Sequence, residues 1–308
     1  MPIVIPKDIP AHEALTNENI FVMDNERANQ QDIRPVEIAI VNLMPTKIET
    51  ETQLLRLLSN TPLQINITFV HMSTHVSKNT AQSHMEKFYV SYEDIKNQKF
   101  DGMIITGAPV EHLPYEDVEY WDELKKIFDF ADNNVTSTIY ICWAAQAALY
   151  YHYDINKVKL DEKLFGIFSN KKLVKFEPLL NGVDDTFYIP HSRHTHIDTR
   201  DILNNDNLIA LAFSHEAGVS ILKSKDNKKI FITGHVEYDK FTLKNEYERD
   251  LNKGLKIAEP KNYFFGNDVN VIWRSTATII YSNWLNYYVY QVTPYDLNER
   301  IIKKKFLL

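Results

Sequence analysis

Short apolar segments alternate with segments of helical periodicity over the first half of the chain. Apolar or alternating runs predict strands at residues 36–41, 63–69, 101–107 and 138–142. The third run is almost continuously apolar, which is typical of a strand buried on both faces of a parallel sheet. Helices are predicted after the first, third and fourth strands. This alternation predicts an α/β protein with a doubly wound, mostly parallel sheet flanked by helices.

The second half of the chain predicts shorter elements. Strands are expected at residues 172–176, 186–189, 208–213, 219–222 and 230–236. A helix is expected over residues 241–253, and Gly254 suits its C-terminal cap. The last helix carries Trp273, Ile280 and Trp284 at helical spacing, an aromatic stripe expected in the core or at a subunit contact.

The domain organisation follows from the same pattern. Residues 1–35 contain several prolines and many polar residues, which predicts an extended N-terminal arm. Residues 36–308 are predicted to form a single α/β catalytic domain whose second half completes the same sheet. The polar connection 72–96 is long for a compact domain, and such connections are more often functional.

Length, charge and cysteine content narrow the class of protein. A chain of 308 residues can bury a substantial core, and a net charge of −7 argues against a nucleic-acid-binding protein. The single cysteine excludes an internal disulfide and a multi-cysteine zinc site. The first residues lack a signal-peptide pattern, and no stretch is apolar enough to span a membrane. We expect a cytoplasmic protein with neither a membrane nor a nucleic-acid partner.

Cys142 lies where a nucleophile is expected. It ends the strand predicted at residues 138–142, and Trp143 begins a predicted helix. A thiol at this junction faces the positive end of the helix dipole, which favours the thiolate. Alternatively, Cys142 is a buried structural cysteine, because free cysteines are among the most buried residues.

A His-x-Glu pair offers the partners that a nucleophilic thiol requires. His235 and Glu237 lie at the end of a predicted strand, where positions i and i+2 share a face. His235 can act as the base for Cys142, and Glu237 can fix the tautomer of His235. Alternatively, the two are a partly buried histidine and an unrelated surface glutamate.

The turn after the third strand is a candidate oxyanion site. Residues 106–111, Thr-Gly-Ala-Pro-Val-Glu, follow the carboxyl end of that strand, where open α/β sheets bind ligands. The backbone N–H groups of Ala108 and Trp143 are the candidate donors. The alternative is a simple strand-ending turn.

Three histidines, His191, His194 and His196, lie close together in the sequence. Their spacing fits no standard zinc pattern, so no metal site is predicted and residues 190–196 are interpreted as a polar active-site loop. The chain has no Gly-x-Gly-x-x-Gly and no phosphate-binding loop, so a dinucleotide or ATP site is not predicted.

These motifs together resemble the class I glutamine amidotransferase-like fold. That fold usually carries glycines where this chain has Tyr140 and Ala144, which argues against a glutaminase. Longer strings resemble the homoserine O-acyltransferases of methionine biosynthesis, which share this fold. They are ENIFVM at 18–23, QDIRP at 31–35, NLMP at 42–45, LLSNTPLQ at 57–64, CWAAQ at 142–146, PHSR at 190–193 and GHVEY at 234–238.

The resemblance implies a ping-pong acyl transfer. Cys142 would attack the thioester of an acyl-CoA and release CoA. His235, oriented by Glu237, would then deprotonate the homoserine hydroxyl that attacks the acyl-cysteine. No permanently bound cofactor is implied, and a homodimer is expected from the family.

The resemblance also implies a binding site for the amino-acid substrate at Lys163, Ser192 and Arg249. Arg249 suits a bidentate grip on the homoserine carboxylate. Glu246 lies one turn earlier on the same helix face, and we expect it to meet the α-ammonium group.

The resemblance suggests that Glu111 selects the acyl donor. In the family, a glycine at this position goes with succinyl-CoA and a glutamate with acetyl-CoA. A carboxylate here would repel the free carboxylate of a succinyl group by on the order of several kcal/mol if unscreened. We therefore predict transfer from acetyl-CoA to L-homoserine.

Three other functions remain open at this point. The chain could use succinyl-CoA instead of acetyl-CoA, or it could be a glutamine amidohydrolase that uses the same thiolate on an amide. It could also be an inactive, ligand-binding relative. The intact set of Cys142, His235 and Glu237 argues against the last.

Overall fold

The computed structural model describes residues 3–18, 20, 22–24, 34–75, 79–266 and 268–294. The strands are numbered in chain order: β1 Ile3–Val4, β2 Val22–Met23, β3 Val36–Val41, β4 Ile65–Val70, β5 Tyr89–Val90, β6 Phe100–Ile105, β7 Val135–Ile141, β8 Lys157–Lys172, β9 Thr186–Ile197, β10 Leu208–Ser214, β11 Gly218–Ser224, β12 Lys229–Ile232, β13 Phe264–Phe265 and β14 Asp268–Val269.

Helices connect these strands. They are α1 Pro10–Asn17, α2 Lys47–Leu58, α3 Gln82–Phe88, α4 Tyr92–Ile95, α5 Trp121–Asn134, α6 Trp143–Tyr153, α7 Thr199–Leu203, α8 Thr242–Asn252 and α9 Arg274–Asn283. Single 3₁₀ turns occupy Tyr115–Asp117 and Pro178–Leu180, and a π-helical segment, Trp284–Tyr290, continues α9. Within the described residues, no helix is both long and apolar enough to cross a membrane.

Twelve of the described strands form one sheet in the order β2-β1-β4-β3-β6-β7-β12-β11-β10-β8-β9, with β5 paired to β4. Pairing is parallel from β2 to β12 and antiparallel from β12 to β9. The parallel half contains the strand–helix alternation read from the sequence. The second half completes the same sheet, as predicted.

Apolar layers cover both faces of the sheet. Alternation along β3 shows the division, because Ile38 and Ile40 belong to one core cluster and Ala39 and Val41 to another. The first cluster includes side chains of α2 and α9, and the second includes side chains of α5 and α6. The sheet is therefore sandwiched between helices, which leaves its strand ends for a site.

The N-terminal segment differs from the extended arm expected over residues 1–35. In its described part, β1 pairs with both β2 and β4, and α1 begins with Pro10 in its first turn. Ile3, Ile5 and Leu15 are fully or almost fully buried in the core. Proline is well tolerated at the start of a helix, so Pro10 lies in the first turn of α1 and does not prevent the helix. Residues 19, 21 and 25–33, including parts of the two N-terminal family strings, lie outside the described residues.

Three strand predictions in the second half were wrong at their ends. Residues 173–176 are not a strand, because β8 ends at Lys172, and Phe176 is exposed. The strand expected at 186–189 continues to Ile197 and so includes residues 190–196, which were interpreted as a loop. The strand expected at 230–236 ends at Ile232. The first error arose because the apolar residues Leu173, Val174 and Phe176 lie outside the strand. The second arose because polar residues alternate along β9.

Candidate active site

Cys142 lies at the junction of β7 and α6, in an unusual backbone conformation. Its φ of 49° and ψ of −112° fall outside the regions that residues with a side chain normally adopt. Such strain costs of order 1–3 kcal/mol and persists only where the surroundings fix it. Its N–H donates to the Ile232 carbonyl at 2.8 Å, which holds the turn against β12. This sharp strand-to-helix turn is the geometry that presents a nucleophile at the first turn of a helix.

Gly107, in the turn after β6, packs directly against this junction. A Cβ added at Gly107 would lie 3.2 Å from Cβ of Cys142 and 3.5 Å from Cε1 of His235. The turn that carries Ala108 is therefore adjacent to both reactive groups. The roles of the Ala108 and Trp143 N–H groups as oxyanion donors stay a prediction, although Trp143 occupies the first position of α6.

His235 and Glu237 form a buried pair beside Cys142. Nδ1 of His235 lies 2.7 Å from Oε1 of Glu237, and both residues are almost fully buried. Burial alone would lower the pKa of His235. The adjacent Cys142 sulfur and the Glu237 carboxylate act in the opposite direction, and together they raise this pKa well above its usual value. The arrangement therefore favours the charged form of the His235 imidazole. We refer to Cys142, His235 and Glu237 as the nucleophile centre.

The expected strand geometry of this pair was wrong, although the pairing itself is present. β12 ends at Ile232, so His235 lies in the turn that follows. The turn approaches β9 closely: a Cβ at Gly234 would lie 2.5 Å from Cγ2 of Ile189 and 2.7 Å from the Pro190 carbonyl oxygen. Only glycine fits there. The close approach lets the His235 N–H donate to that Pro190 oxygen at 2.8 Å.

Tyr238 supports the imidazole from one face. Its ring stacks on that of His235 with centroids 4.1 Å apart. The Tyr238 carbonyl oxygen accepts a hydrogen bond from the indole N–H of Trp273 at 2.8 Å. The aromatic stripe of the last helix thus begins in the buried core behind the site, one of the two places expected for it.

The three amino-acid ligands implied by the resemblance, Lys163, Ser192 and Arg249, converge with Glu246 between β8, β9 and α8. Oε1 of Glu246 lies 2.7 Å from Nζ of Lys163 and accepts from the Ser192 hydroxyl at 2.8 Å. Nη2 of Arg249 lies 2.7 Å from Oδ1 of Asp250 and 3.6 Å from Oε1 of Glu246. These five residues form what we call the β9–α8 cluster. The sequence reasoning missed Asp250, although its position four residues after Glu246 on one helix face was a usable signal.

Glu111 connects the β6 turn to β9. Its Oε1 accepts a hydrogen bond from the His194 N–H at 2.9 Å. Burial raises the pKa of its carboxyl, while that hydrogen bond and the nearby His112, His235 and Lys163 act to lower it. Glu111 therefore shares the electrostatic environment of both the nucleophile centre and the β9–α8 cluster.

The histidines of β9 do not converge on each other. Alternation along the strand puts His191 on the buried face and His194 and His196 on the opposite one. On the buried face, Nε of Arg193 donates to Nδ1 of His191 at 3.4 Å. Burial, followed by the charges of Arg193 and His235, lowers the pKa of His191 well below its usual value. Arg193 was missed, because nothing in its sequence context distinguishes a buried arginine from an exposed one.

A comparison with protein families decides where the chain belongs. The family model of homoserine O-succinyltransferase matches residues 2–295. The chain belongs to this family. That result covers nearly the whole sequence and confirms the resemblance drawn from its strings.

Relatives of known sequence are similar over their full length. One named homoserine O-acetyltransferase, from Acetivibrio thermocellus, is 58% identical over 97% of this chain and 99% of its own. Another with the same name, from Lachnoclostridium phytofermentans, is 58% identical over 96% of this chain and 100% of its own.

Solved structures confirm the fold. A glutamine amidotransferase from Thermotoga maritima matches with a TM-score of 0.53 at 10% identity, covering 82% of this chain and 98% of its own. One from Methylobacillus flagellatus matches with a TM-score of 0.53 at 12% identity, covering 86% and 99%. The protein therefore has the class I glutamine amidotransferase-like fold, as predicted.

Proposed function

We propose that the protein transfers an acetyl group from acetyl-CoA to the hydroxyl of L-homoserine, as a homoserine O-acetyltransferase of methionine biosynthesis. The observation that carries the proposal is the nucleophile centre: a strained, buried Cys142 beside the His235–Glu237 pair. The names of the relatives at 58% identity support the same reaction. Acetyl-CoA is a co-substrate in this account, and no resident cofactor takes part.

In the first half-reaction the Cys142 thiolate attacks the thioester carbonyl of acetyl-CoA. The tetrahedral oxyanion would be met by the N–H groups of Ala108 and Trp143. The C–S bond to CoA breaks, the CoA thiolate takes the proton held by His235, and an acetyl-cysteine remains. Glu237 keeps the imidazole oriented and stabilises its charged form.

In the second half-reaction neutral His235 accepts the proton of the homoserine hydroxyl. The alkoxide oxygen attacks the acetyl-cysteine, the C–S bond breaks, and Cys142 leaves as a thiolate beside the imidazolium. Homoserine binds at the β9–α8 cluster: Arg249 meets its carboxylate and Glu246 its ammonium group. Arg249 is half exposed and Glu246 lies beside the cationic Lys163 and Arg249, so a zwitterionic ligand can bind by exchanging with these ion pairs.

Glu111 favours acetyl over succinyl transfer. Its carboxylate lies in an environment where burial limits screening, so the free carboxylate of a succinyl group would be repelled. The uncharged acetyl group meets no such repulsion. Succinyl transfer is the second candidate, and the name of the matching family favours it.

A donor comparison tests the proposal. With homoserine as acceptor, acetyl-CoA should give a higher kcat/KM than succinyl-CoA, and Glu111→Gly should shift preference toward succinyl-CoA. Glu116→Gly is a control, because that carboxylate lies on the neighbouring 3₁₀ turn and binds the Tyr150 hydroxyl. An unchanged acetyl preference in Glu111→Gly would show that Glu111 does not select the donor. A preference of the unmodified protein for succinyl-CoA would overturn the proposed acetyl transfer.

We further propose a cytoplasmic location and a homodimer, as expected for this class of biosynthetic enzyme. Sedimentation of the purified chain tests the second statement directly. A monomer at micromolar concentration would contradict it.

A further inference from the structure

A cluster of three metal-ligand side chains lies beside the nucleophile centre, and two of the three, His112 and His194, have no part in the proposed reaction. Glu111, His112 and His194 each offer one ligand atom, and these atoms all lie within 4.8 Å of one another. Two come from the turn after β6 and the third from β9, so two separate elements of the fold build the cluster. His191 and His196, which lie near His194 in the sequence, are not members of this cluster.

A hydrogen bond holds one of the three side chains in place. The backbone N–H of His194 donates to Oε1 of Glu111 and so joins the turn to the strand. The His112 and His194 rings lie with centroids 4.6 Å apart and are tilted by 48°. His112 is exposed and the other two are half-buried. The cluster is therefore preformed on one side and open to solvent on the other.

Several positive charges act on Glu111, among them those of Lys157, Lys163 and Arg193. Lys163 is paired with Glu246 and Asp250, so its charge opposes a cation at the cluster less than that of an unpaired lysine would. Burial lowers the pKa of His194, with His112 and Lys163 acting in the same direction, so its imidazole is neutral and free to donate a lone pair.

We propose that Glu111, His112 and His194 form a Zn²⁺ site with an open fourth position. Two imidazoles and one carboxylate are a ligand set that zinc accepts with one position left for water or another ligand. Magnesium and calcium prefer all-oxygen sets, so imidazole donors favour zinc over them. Zinc requires donors at roughly 2.0–2.2 Å from the ion, so the exposed His112 side chain would rotate to close the site around it.

Zinc at this site would inhibit the protein, a consequence that rests on the proposed function. The ion would occupy the space beside Glu111 in which the acyl group must lie. It would also be removable by a chelator, because one side of the site faces solvent. The site thus couples acyl transfer to the free zinc concentration without any change of fold.

Zinc binding to the full-length chain tests the site independently of activity. Binding is measured by competition with a chromophoric zinc chelator, in a Cys142→Ala background so that the thiol takes no metal. One equivalent of Zn²⁺ should bind, and adding His112→Gln or His194→Gln should weaken it by at least about tenfold. His215→Gln, an exposed histidine elsewhere, is the matched control and should bind as the background does. Loss of binding in Cys142→Ala alone, or full binding in His112→Gln, would overturn the proposal.

The inhibitory role is tested separately in the acetyl-transfer assay. Zn²⁺ should inhibit the unmodified protein and a chelator should restore it, while His112→Gln should need at least about tenfold more zinc for the same inhibition. Equal sensitivity of the two proteins would overturn this role. A chain that binds zinc through His112 but transfers no acetyl group would retain the metal site and refute the proposed function instead.

Discussion

The nucleophile centre and the β9–α8 cluster are built in opposite ways. Cys142, His235 and Glu237 are each at most 7% exposed, whereas the Arg249 side chain is 53% exposed. The first site is fixed by a strained turn, a stacked ring and a single buried pair. The second consists of ion pairs among side chains of β8 and α8. Under the proposed function, the difference teaches that bond-making groups are kept dry and that recognition is left to ion pairs that a zwitterion can exchange.

The comparison also divides the reaction in two. In the proposed reaction, acylation by acetyl-CoA needs the nucleophile centre alone, and the transfer to homoserine needs both regions. Variants in the two regions should therefore affect different half-reactions, and measuring the two half-reactions separately tests this division.

The largest effect is expected from Glu237→Gln. The amide keeps the shape of the side chain but removes the charge that stabilises the His235 imidazolium, so kcat should fall by roughly 10²–10⁴-fold. Steady-state kinetics at saturating concentrations of both substrates measures this. A fall of less than twofold would show that the buried pair does not support catalysis.

A smaller effect, confined to one substrate, is expected from Arg249→Ala. Losing a charged hydrogen bond to the homoserine carboxylate should raise the KM for homoserine by roughly 10–100-fold. The rate at which acetyl-CoA acylates Cys142 should not change. Arg200→Ala is a control of the same type, because Arg200 is exposed and paired with Asp198. If Arg249→Ala slowed acylation as much as transfer, the two regions would not be separable.

The smallest effect on chemistry, but a clear one on stability, is expected from Gly234→Ala. Its Cβ would meet Ile189 and Pro190 at under 3 Å, so the free energy of unfolding should fall by roughly 1–3 kcal/mol. Gly254→Ala is the matched control, since it meets no atom within 4 Å and strains only a positive φ of 72°. Thermal unfolding compares them, and an equal loss in both would show that close approach to β9 is not what requires Gly234.

The parallel half of the fold could be predicted from the sequence and the antiparallel half only in part. β3, β6 and β7 are apolar on both faces, so they stand out as continuous runs. β9 buries Arg193 and Thr195 among hydrogen-bond partners, so its polar residues were interpreted as a loop. β1 and β2 contain two residues each, so they are too short to show the alternation that indicates a strand.

The candidate site shows the same limit. Cys142 and the His235–Glu237 pair could be found because their residue types and local spacing carry the chemistry. The β9–α8 cluster joins residues more than 80 positions apart, as between Lys163 and Glu246. Only the resemblance to a family pointed to it. The pairing of His194 with Glu111 and His112 depends on how the β6 turn meets β9, which no local pattern describes.

The most direct test of the account is the mass of the intact protein after incubation with acetyl-CoA and no acceptor. The account predicts one added acetyl group on Cys142, absent in Cys142→Ala, and its loss when homoserine is added, with O-acetylhomoserine formed. An unmodified mass together with full acetyl transfer to homoserine would contradict an acyl-cysteine intermediate and the account built on it.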